Sequence, residues 1–289
     1  MLGILSSTKK NETHLKFFSH ILNTFNEYKN KSLFIFTMND IDFSNKKIKG
    51  NLITKDGIEF SKISIPSITF NLTDYSKRSS RKKVEQLALY SNIVNEANRF
   101  KQYMIMEMLS SNKQTHDFLL KYEIDIKKII EKSFFIVDDK SYNYSKIKKL
   151  SRKQEFVMFN KQDLLLSNNY PVIITLYVQR GIGGEWKVLP GTQKLENIKE
   201  SDTLYKKINF AAIESTAWIS CFIPSLSFST VNFVLDNNLN PYLISLNGWD
   251  PKILRENSHN HTGIEFMKNL FDYTNFLNIE QKRGVNLVD

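Results

Sequence analysis

Hydrophobic and polar positions alternate in short blocks along residues 1–70, and these blocks predict a small α/β domain. The apolar run Leu2–Leu5 predicts a buried strand, and apolar residues between Leu15 and Phe25 recur at helical spacing. Further β-rich runs predict strands at residues 32–37, 47–53, 58–63 and 65–70. The turn Lys55-Asp56-Gly57 joins two of these runs, so we expect a hairpin there.

The middle of the chain has a different pattern. Apolar residues from 79 to 132, including Ile93 and Val94, fit helical spacing without an interrupting glycine or proline, so we expect helices throughout. Residues 134–137 then predict a strand. The segment from Lys140 to Lys153 is basic and contains no acidic residue.

Strands and helices alternate again in the last part of the chain. Residues 173–178 and 186–189 predict two strands around Gly181-Ile182-Gly183-Gly184, which resembles a hairpin connection. A further hairpin is predicted around the turn from Asp236 to Pro241. The remaining elements are helices, predicted at residues 203–220 and 264–276.

The charge and hydropathy of the chain bear on whether it binds nucleic acid or membranes. Lys plus Arg is 40 against 30 Asp plus Glu, a net charge of +10 that favours anionic partners only if it is gathered on one face. Because no aromatic-plus-basic motif accompanies the charge, we do not expect nucleic-acid binding. No run approaches the roughly 18 apolar residues of a membrane span, so we expect neither a membrane partner nor an anchor.

Two other candidate features are interpreted as structural. Cys221 is the single cysteine, which excludes an internal disulfide and fits a reducing cytoplasm, and we expect it to be a buried thiol. His259-Asn260-His261 lacks a nearby pattern of carboxylate or cysteine partners, so we expect a polar loop rather than a metal site.

The segment 231–247 carries the first family resemblance. Its order of strand, Asp-Asn-Asn turn, strand and Asn-Gly exit resembles the end of an ATP-grasp domain, where the pattern is roughly D-x-x-x-D-x-x-G-x-x-W-x-I-E-x-N. In that family an Asp, a Glu and an Asn from this hairpin hold magnesium ions on the nucleotide phosphates. Asn232, Ser245 and Asn247 occupy the corresponding positions here. The family's Asp and Glu are therefore replaced by neutral residues, and its Asn is kept.

Other segments resemble one branch of that superfamily, the YheC/YheD endospore coat-associated proteins. The resemblance covers nearly the whole chain and lies in LGIL at the start, IFTMNDIDFSNKKIKG at 35–50, IPSITFN followed by YSKRSSRKKVE, and YVQRGIGGEWKV at 177–188. It implies an α/β (α+β) chain of ATP-grasp architecture. We expect an N-terminal pre-ATP-grasp-like α/β domain (1–78), a helical region with a reduced central lobe (79–170) and a C-terminal antiparallel lobe (171–289).

The resemblance implies activation of a carboxylate by ATP and capture of the acyl phosphate by an amine, but this chain departs from the pattern. It has no glycine between Gly57 and Gly181, where the family has a glycine-rich phosphate loop. The family's D-x-R falls on Ile173 and Thr175, and neither can hold an anion as arginine does. On the substrate side, the resemblance retains Thr175, Gln179 and Arg180 as remnants.

Two functions remain open at this point. The first is a non-catalytic binding or partner subunit that needs no cofactor and works with an intact ATP-grasp paralogue or as a homo-oligomer. The second is an active ATP-dependent carboxylate–amine ligase with relocated ligands. In that case Asp236 and Asp250 would replace the lost Mg²⁺ ligands, and the ATP phosphates would be held by Lys140, Lys146, Lys148 and Lys149. Turn aspartates commonly cap their own backbone, and no catalytic residue is assigned. The resemblance implies a bacterial cytoplasmic protein with an association to spores.

Overall fold

The structure is a computed structural model. It describes residues 1–8, 11–24, 28, 30–74, 78–120, 122–123, 133–137, 140–142, 157–160, 164–167, 170–190, 202–256 and 261–285.

The N-terminal part is a mixed sheet covered by helices. Its described strands are β1 (Leu2–Ser6), β2 (Leu33–Thr37), β3 (Ile41–Asp42), β4 (Lys47–Thr54), β5 (Gly57–Ser64), β6 (Ile68–Asn71) and β7 (Asn92–Val94). Their order is β3-β4-β2-β1-β6-β7, with β5 paired to β4. Strands β2, β1, β6 and β7 run parallel, whereas β4 runs antiparallel to β2, β3 and β5.

The parallel strands are linked by helices on opposite faces of this sheet. Helix α1 (Asn11–Thr24) follows β1, and helix α2 (Arg78–Ala88) follows β6. Side chains of a strand alternate between the two faces, and β2 shows this clearly. Its Leu33 and Ile35 share a buried cluster with Phe18 of α1, while the intervening Phe34 shares one with Leu87 of α2. The sheet is therefore the middle layer of an α/β/α sandwich.

One glycine permits close packing inside this sheet. Gly50 lies in β4 beside β2, and a Cβ atom at this position would overlap the carbonyl oxygen of Ile35. A side chain there would force the two strands apart, which gives a physical reason for the glycine in the segment 35–50.

The central part consists of short elements. The described helices are α3 (Gln102–Ser110) and α4 (Lys113–His116), and the described strands are β8 (Tyr122–Glu123), β9 (Ser133–Val137), β10 (Lys140–Tyr142), β11 (Val157–Asn160), β12 (Leu166–Ser167) and β13 (Tyr170–Pro171). Strands β10, β9, β11 and β8 form an antiparallel sheet in that order, and β12 pairs with β13.

The C-terminal part is an antiparallel sheet between two long helices. Its elements are β14 (Ile173–Arg180), β15 (Trp186–Val188), α5 (Asp202–Phe222), β16 (Phe228–Leu235), β17 (Pro241–Asn247), α6 (Lys252–Glu256) and α7 (His261–Val285). The strand order is β15-β14-β16-β17. On one face, Leu176 and Val231 pack with Ile208 of α5. On the other face, Tyr177 and Phe228 join a cluster with α7 and the N-terminal sheet.

A buried asparagine pair connects the N-terminal sheet to the C-terminal one. The Asn95 side-chain oxygen accepts hydrogen bonds from the Ser227 and Phe228 amides at 2.8 and 3.0 Å. The Asn98 side-chain oxygen accepts one from the Trp249 amide at 2.8 Å. Both asparagines are buried, so this link holds the ends of β7 and β17 against the start of β16.

The sequence predicts most of these elements. All three predicted hairpins, both long C-terminal helices and the strand-helix-strand opening are confirmed. The helical prediction for residues 79–132 is wrong in two places. Ile93 and Val94 lie in β7 and pair in parallel with Thr69 and Phe70 of β6, and Tyr122–Glu123 forms β8, which pairs with β11. No helix in the described part of the chain is both long enough and apolar enough to cross a lipid bilayer.

Candidate functional site

A row of three polar side chains crosses the C-terminal sheet where the resemblance places the metal ligands. Thr175, Asn232 and Ser245 lie directly opposite one another on β14, β16 and β17. Their strand neighbours Ile174, Val231 and others pack against α5, so alternation puts the three on the opposite face. We call these three residues the polar row.

Hydrogen bonds connect the three side chains of the polar row. The Thr175 hydroxyl donates to the Asn232 side-chain oxygen at 2.6 Å. The Asn232 side-chain nitrogen donates to the Ser245 hydroxyl at 2.8 Å. Asn232 and Ser245 are almost fully buried, at 5% and 0% exposure. The row is therefore an electrically neutral chain of hydrogen bonds, buried at Asn232 and Ser245 and half-buried at Thr175.

A β-bulge lies next to the row. The register of β16 and β17 shifts after Asn232, because Asn232 faces Ser245 whereas Phe233 faces Leu243, which leaves Ile244 as the extra residue. Bulges are frequent beside functional sites, where they change the direction of a side chain. Because of this bulge, Ser245 lies on the same face of the sheet as Asn232.

Asn247 lies two residues beyond Ser245 and binds the segment that leads into α3. Its side-chain oxygen accepts hydrogen bonds from the Phe100 amide and from the Gln102 side-chain nitrogen, both at 3.2 Å. The Gln102 side-chain oxygen accepts a further bond from the Leu246 amide at 3.0 Å. Asn247 thus connects the end of β17 to the central part of the chain.

Asp236 stabilises its own turn. Its carboxylate accepts hydrogen bonds from the Asn238 and Asn240 amides at 2.9 and 2.7 Å and from the Asn240 side chain at 2.8 Å. Partial burial opposes ionisation, but the donors from Asn240, Asn238 and Tyr242 outweigh it and lower the pKa of Asp236 below its ordinary value. The carboxylate is therefore ionised near neutral pH and committed to the turn.

Asp250 also acts locally. Its carboxylate accepts a hydrogen bond from the Lys252 amide at 2.9 Å, at the start of the short helix α6. An aspartate in this position satisfies an amide that the helix leaves without a partner. Neither Asp236 nor Asp250 contacts the polar row through any hydrogen bond that the described residues show.

Gln179 and Arg180 lie at the other end of β14 from Thr175. The Gln179 side-chain nitrogen donates to the Phe266 carbonyl at 3.1 Å. The Arg180 guanidinium lies 4.7 Å from the Trp186 ring centroid and 5.8 Å from that of Tyr273. Burial raises the pKa of the Tyr273 hydroxyl in spite of this cation. Thr175 therefore belongs to the polar row, whereas Gln179 hydrogen-bonds the backbone of α7 and Arg180 packs against two aromatic rings.

The remaining candidates divide between described and undescribed parts of the chain. Lys140 begins β10, while Lys146, Lys148 and Lys149 lie outside the described residues, as do His259 and Asn260. Cys221 was expected to be buried, and this is wrong: it is exposed, since the last turn of α5 turns its side chain outward. The described residues contain no group of three or more His, Cys, Asp or Glu side chains that could hold a metal ion.

The polar row does not fit a magnesium site. Mg²⁺ usually takes one or two carboxylates together with phosphate oxygens, and the row offers an amide and two hydroxyls. The amide oxygen of Asn232 already accepts the Thr175 hydroxyl, and its nitrogen is turned toward Ser245. The chemistry of this row is that of a structural hydrogen-bond chain.

Sequence reasoning missed two parts of this region. The resemblance makes Thr175 a substrate-side remnant, and the sequence did not show that its hydroxyl donates to Asn232, a residue that the resemblance assigns to the metal site. Gln102 was not singled out, although it contacts Asn247 and the β17 backbone. The partners of both residues lie far away in sequence, so no local pattern indicated these contacts.

Comparisons with known proteins show the fold. The D-alanine–D-alanine ligase from Coxiella burnetii matches with a TM-score of 0.58 at 11% identity, over 99% of this chain and 97% of that one. N5-carboxyaminoimidazole ribonucleotide synthetase from Thermotoga maritima matches with a TM-score of 0.53 at 9% identity, over 94% and 75%. An L-amino acid ligase from Bacillus licheniformis gives 0.51 at 10% identity, over 93% and 73%. No protein-family model and no curated protein sequence matches the chain.

Together with the strand order, these similarities show a mixed α/β chain with the fold of ATP-grasp ligases. Identities near one tenth support the fold alone. The chain therefore resembles carboxylate–amine ligases in architecture.

Proposed function

We propose that this chain is an ATP-grasp-fold protein of the YheC/YheD type that has lost metal-dependent ligation and serves as a binding or partner subunit. The observation that supports the proposal is the neutral, hydrogen-bonded polar row, two of whose residues, Asn232 and Ser245, the resemblance assigns to the family's metal ligands. The proposed partner is an intact ATP-grasp paralogue or a second copy of this chain, in the bacterial cytoplasm and associated with spores. This role requires neither Mg²⁺ nor ATP.

Three further features support loss of the metal site over its relocation. Asp236 and Asp250, the two substitute carboxylates, are used in a turn and at a helix start. Asn247 holds the segment before α3. The sequence also has no glycine between Gly57 and Gly181 to let a phosphate approach the backbone closely.

Mg·ATP is expected to bind the full chain with a dissociation constant above about 1 mM, which corresponds to a binding free energy weaker than about −4 kcal/mol. The reason is that the polar row supplies no charge to hold a cation on the phosphates. Calorimetric titration measures this affinity, with ATP plus EDTA as the control for binding that does not involve metal. Micromolar affinity that depends on Mg²⁺ would contradict the proposal and favour a working ligase with relocated ligands.

Restoring the two family carboxylates should create a response to metal. In the double variant Asn232→Asp, Ser245→Glu, two negative charges would face each other across β16 and β17. Without metal, their repulsion should cost roughly 1 kcal/mol or more, because both positions are buried. Added Mn²⁺ should recover this loss, since an ion that binds only the folded state stabilises it by mass action.

Melting temperature with and without Mn²⁺ measures that response in the double variant, in Asn232→Asp alone and in the parent. We expect the parent to show no shift. A parent that gains several degrees already has a metal site, and the loss proposal is then wrong. If the double variant does not respond either, these two positions do not correspond to the family's ligand positions.

A further inference from the structure

A cleft of about 740 Å³ lies along the outer edge of β7, away from the polar row. Its floor is the strand itself, and its two walls are α2 and α7, the helices on either side of the N-terminal sheet. Arg81 and Glu85 line the α2 wall, Tyr273 and Leu277 line the α7 wall, and the segment 222–225 closes one end. We call this cleft the β7 slot.

The β7 slot occupies the place of one more strand in the sheet. In the strand order, β7 is the last member, and the described residues place no strand on its outer side. Ile93 packs with Val84 and Leu87 of α2, whereas Val94 packs in the cluster that contains α7. Residues of both helices line the space beyond the outer edge of β7.

The backbone of β7 is oriented for pairing in this space. The Asn92 amide donates inward to the Ser67 carbonyl next to β6, at 2.7 Å. The Asn95 amide donates outward to the Ser225 carbonyl, at 2.6 Å. Since successive amides of a strand alternate in direction, the amide and carbonyl of Ile93 point outward as well, into the slot. Ser225 already pairs with one end of this edge, and the slot continues from there.

The walls of the slot indicate what kind of chain would fit. Successive side chains of an added strand would point alternately to α2 and to α7. The α2 wall carries Arg81 and Glu85, both exposed, and neither forms an ion pair with any described residue. The α7 wall presents the Tyr273 ring and Leu277. A matching segment therefore alternates charged and apolar residues.

We infer that the β7 slot binds an extended peptide segment of a partner protein by adding it as a strand to β7. The outward backbone groups of Ile93 supply main-chain hydrogen bonds, and the two walls select side chains of alternating polarity. This inference gives the partner of the proposed subunit a chemistry, but it does not depend on the state of the polar row. The peptide experiment and the Mg·ATP titration can therefore fail independently.

The test is selection of a phage-displayed random heptapeptide library on the full chain. Ala88 is exposed and lines the slot, so Ala88→Trp should fill it, whereas the neighbouring Leu89 is 76% exposed and does not line it. Peptides enriched on the parent should bind Leu89→Trp equally and Ala88→Trp at least tenfold more weakly. Melting temperatures of both variants control for folding. No enrichment on the parent, or equal binding to Ala88→Trp, overturns the inference.

A second measurement separates strand addition from side-chain docking in the same cleft. An enriched peptide is synthesised with single N-methyl groups along its backbone, which remove one amide donor at a time. In strand addition, one peptide amide donates to the Ile93 carbonyl, so methylation of that amide should weaken binding at least tenfold and methylation of the amides on either side should be tolerated. An equal loss at neighbouring positions, or no loss at any position, overturns the strand model.

Discussion

Replacing Phe266 with alanine is expected to lower the free energy of unfolding by about 4 kcal/mol, because it empties the centre of the core shared by the two sheets. Phe266 lies on α7 and is fully buried. Its ring centroid lies 6.1 Å from that of Phe70 in the N-terminal sheet and 5.8 Å from that of Phe228 in the C-terminal sheet. Trp249 contributes a further ring at 5.4 Å.

Urea denaturation of the parent and the variant measures this difference. The matched control is Phe60→Ala on β5, where the same side chain is 68% exposed and should change stability by no more than about 0.5 kcal/mol. Because both sheets contribute to the cluster around Phe266, we also expect them to unfold in one transition. A loss below about 1 kcal/mol for Phe266→Ala, or two separate transitions in the parent, would contradict a shared core.

The local elements could be predicted because their side-chain patterns are complete within each element. The 47–53 and 58–63 runs and their turn specify the β4–β5 hairpin without help from the rest of the chain. Strand β7 is different, since three residues are too few to show a period of two. Its apolar Ile93 and Val94 fit the helical spacing of the flanking segments, and only pairing with β6 makes them a strand.

The pairing of Asn232 with Ser245 could be predicted from the sequence, but the other contacts of the candidate site could not. The spacing of the family hairpin placed Asn232 and Ser245 opposite each other, and the strand register agrees. Nothing in the sequence indicated that Thr175 would complete the polar row or that Asn247 would hold the segment before α3. Those contacts join residues that are far apart in the sequence, and the hydrophobic periodicity of a single element does not predict which distant elements pack together.

Asn95 has a structural role that the sequence does not indicate. It lies at the end of β7 with φ of 56°, a left-handed conformation that asparagine tolerates better than most residues. Its side chain hydrogen-bonds Ser227, Phe228 and Asn98, so one buried amide connects the N-terminal sheet to the C-terminal one. A composition rich in asparagine gives no reason to select this one.

Asn95→Ala is expected to lower the free energy of unfolding by about 3–5 kcal/mol. The substitution leaves the buried amides of Ser227 and Phe228 without their acceptor, at about 1–3 kcal/mol for each unsatisfied group. It also places a Cβ-bearing residue without a stabilising side chain in the left-handed region, at roughly 1–2 kcal/mol. Asn95→Gly relieves the second cost and keeps the first, so the glycine variant should be more stable than the alanine variant by about 1 kcal/mol.

Urea denaturation of both variants, with Asn92→Ala as the control, separates these contributions. Asn92 lies on the same short strand, but its side chain is exposed, so its loss should change stability by no more than about 0.5 kcal/mol. If Asn95→Ala costs no more than Asn92→Ala, the amide does not join the two sheets. Equal stability of the alanine and glycine variants would instead show that the left-handed backbone carries no strain. With both expectations met, Asn95 positions the start of β16 and hence the register that lines up Thr175, Asn232 and Ser245.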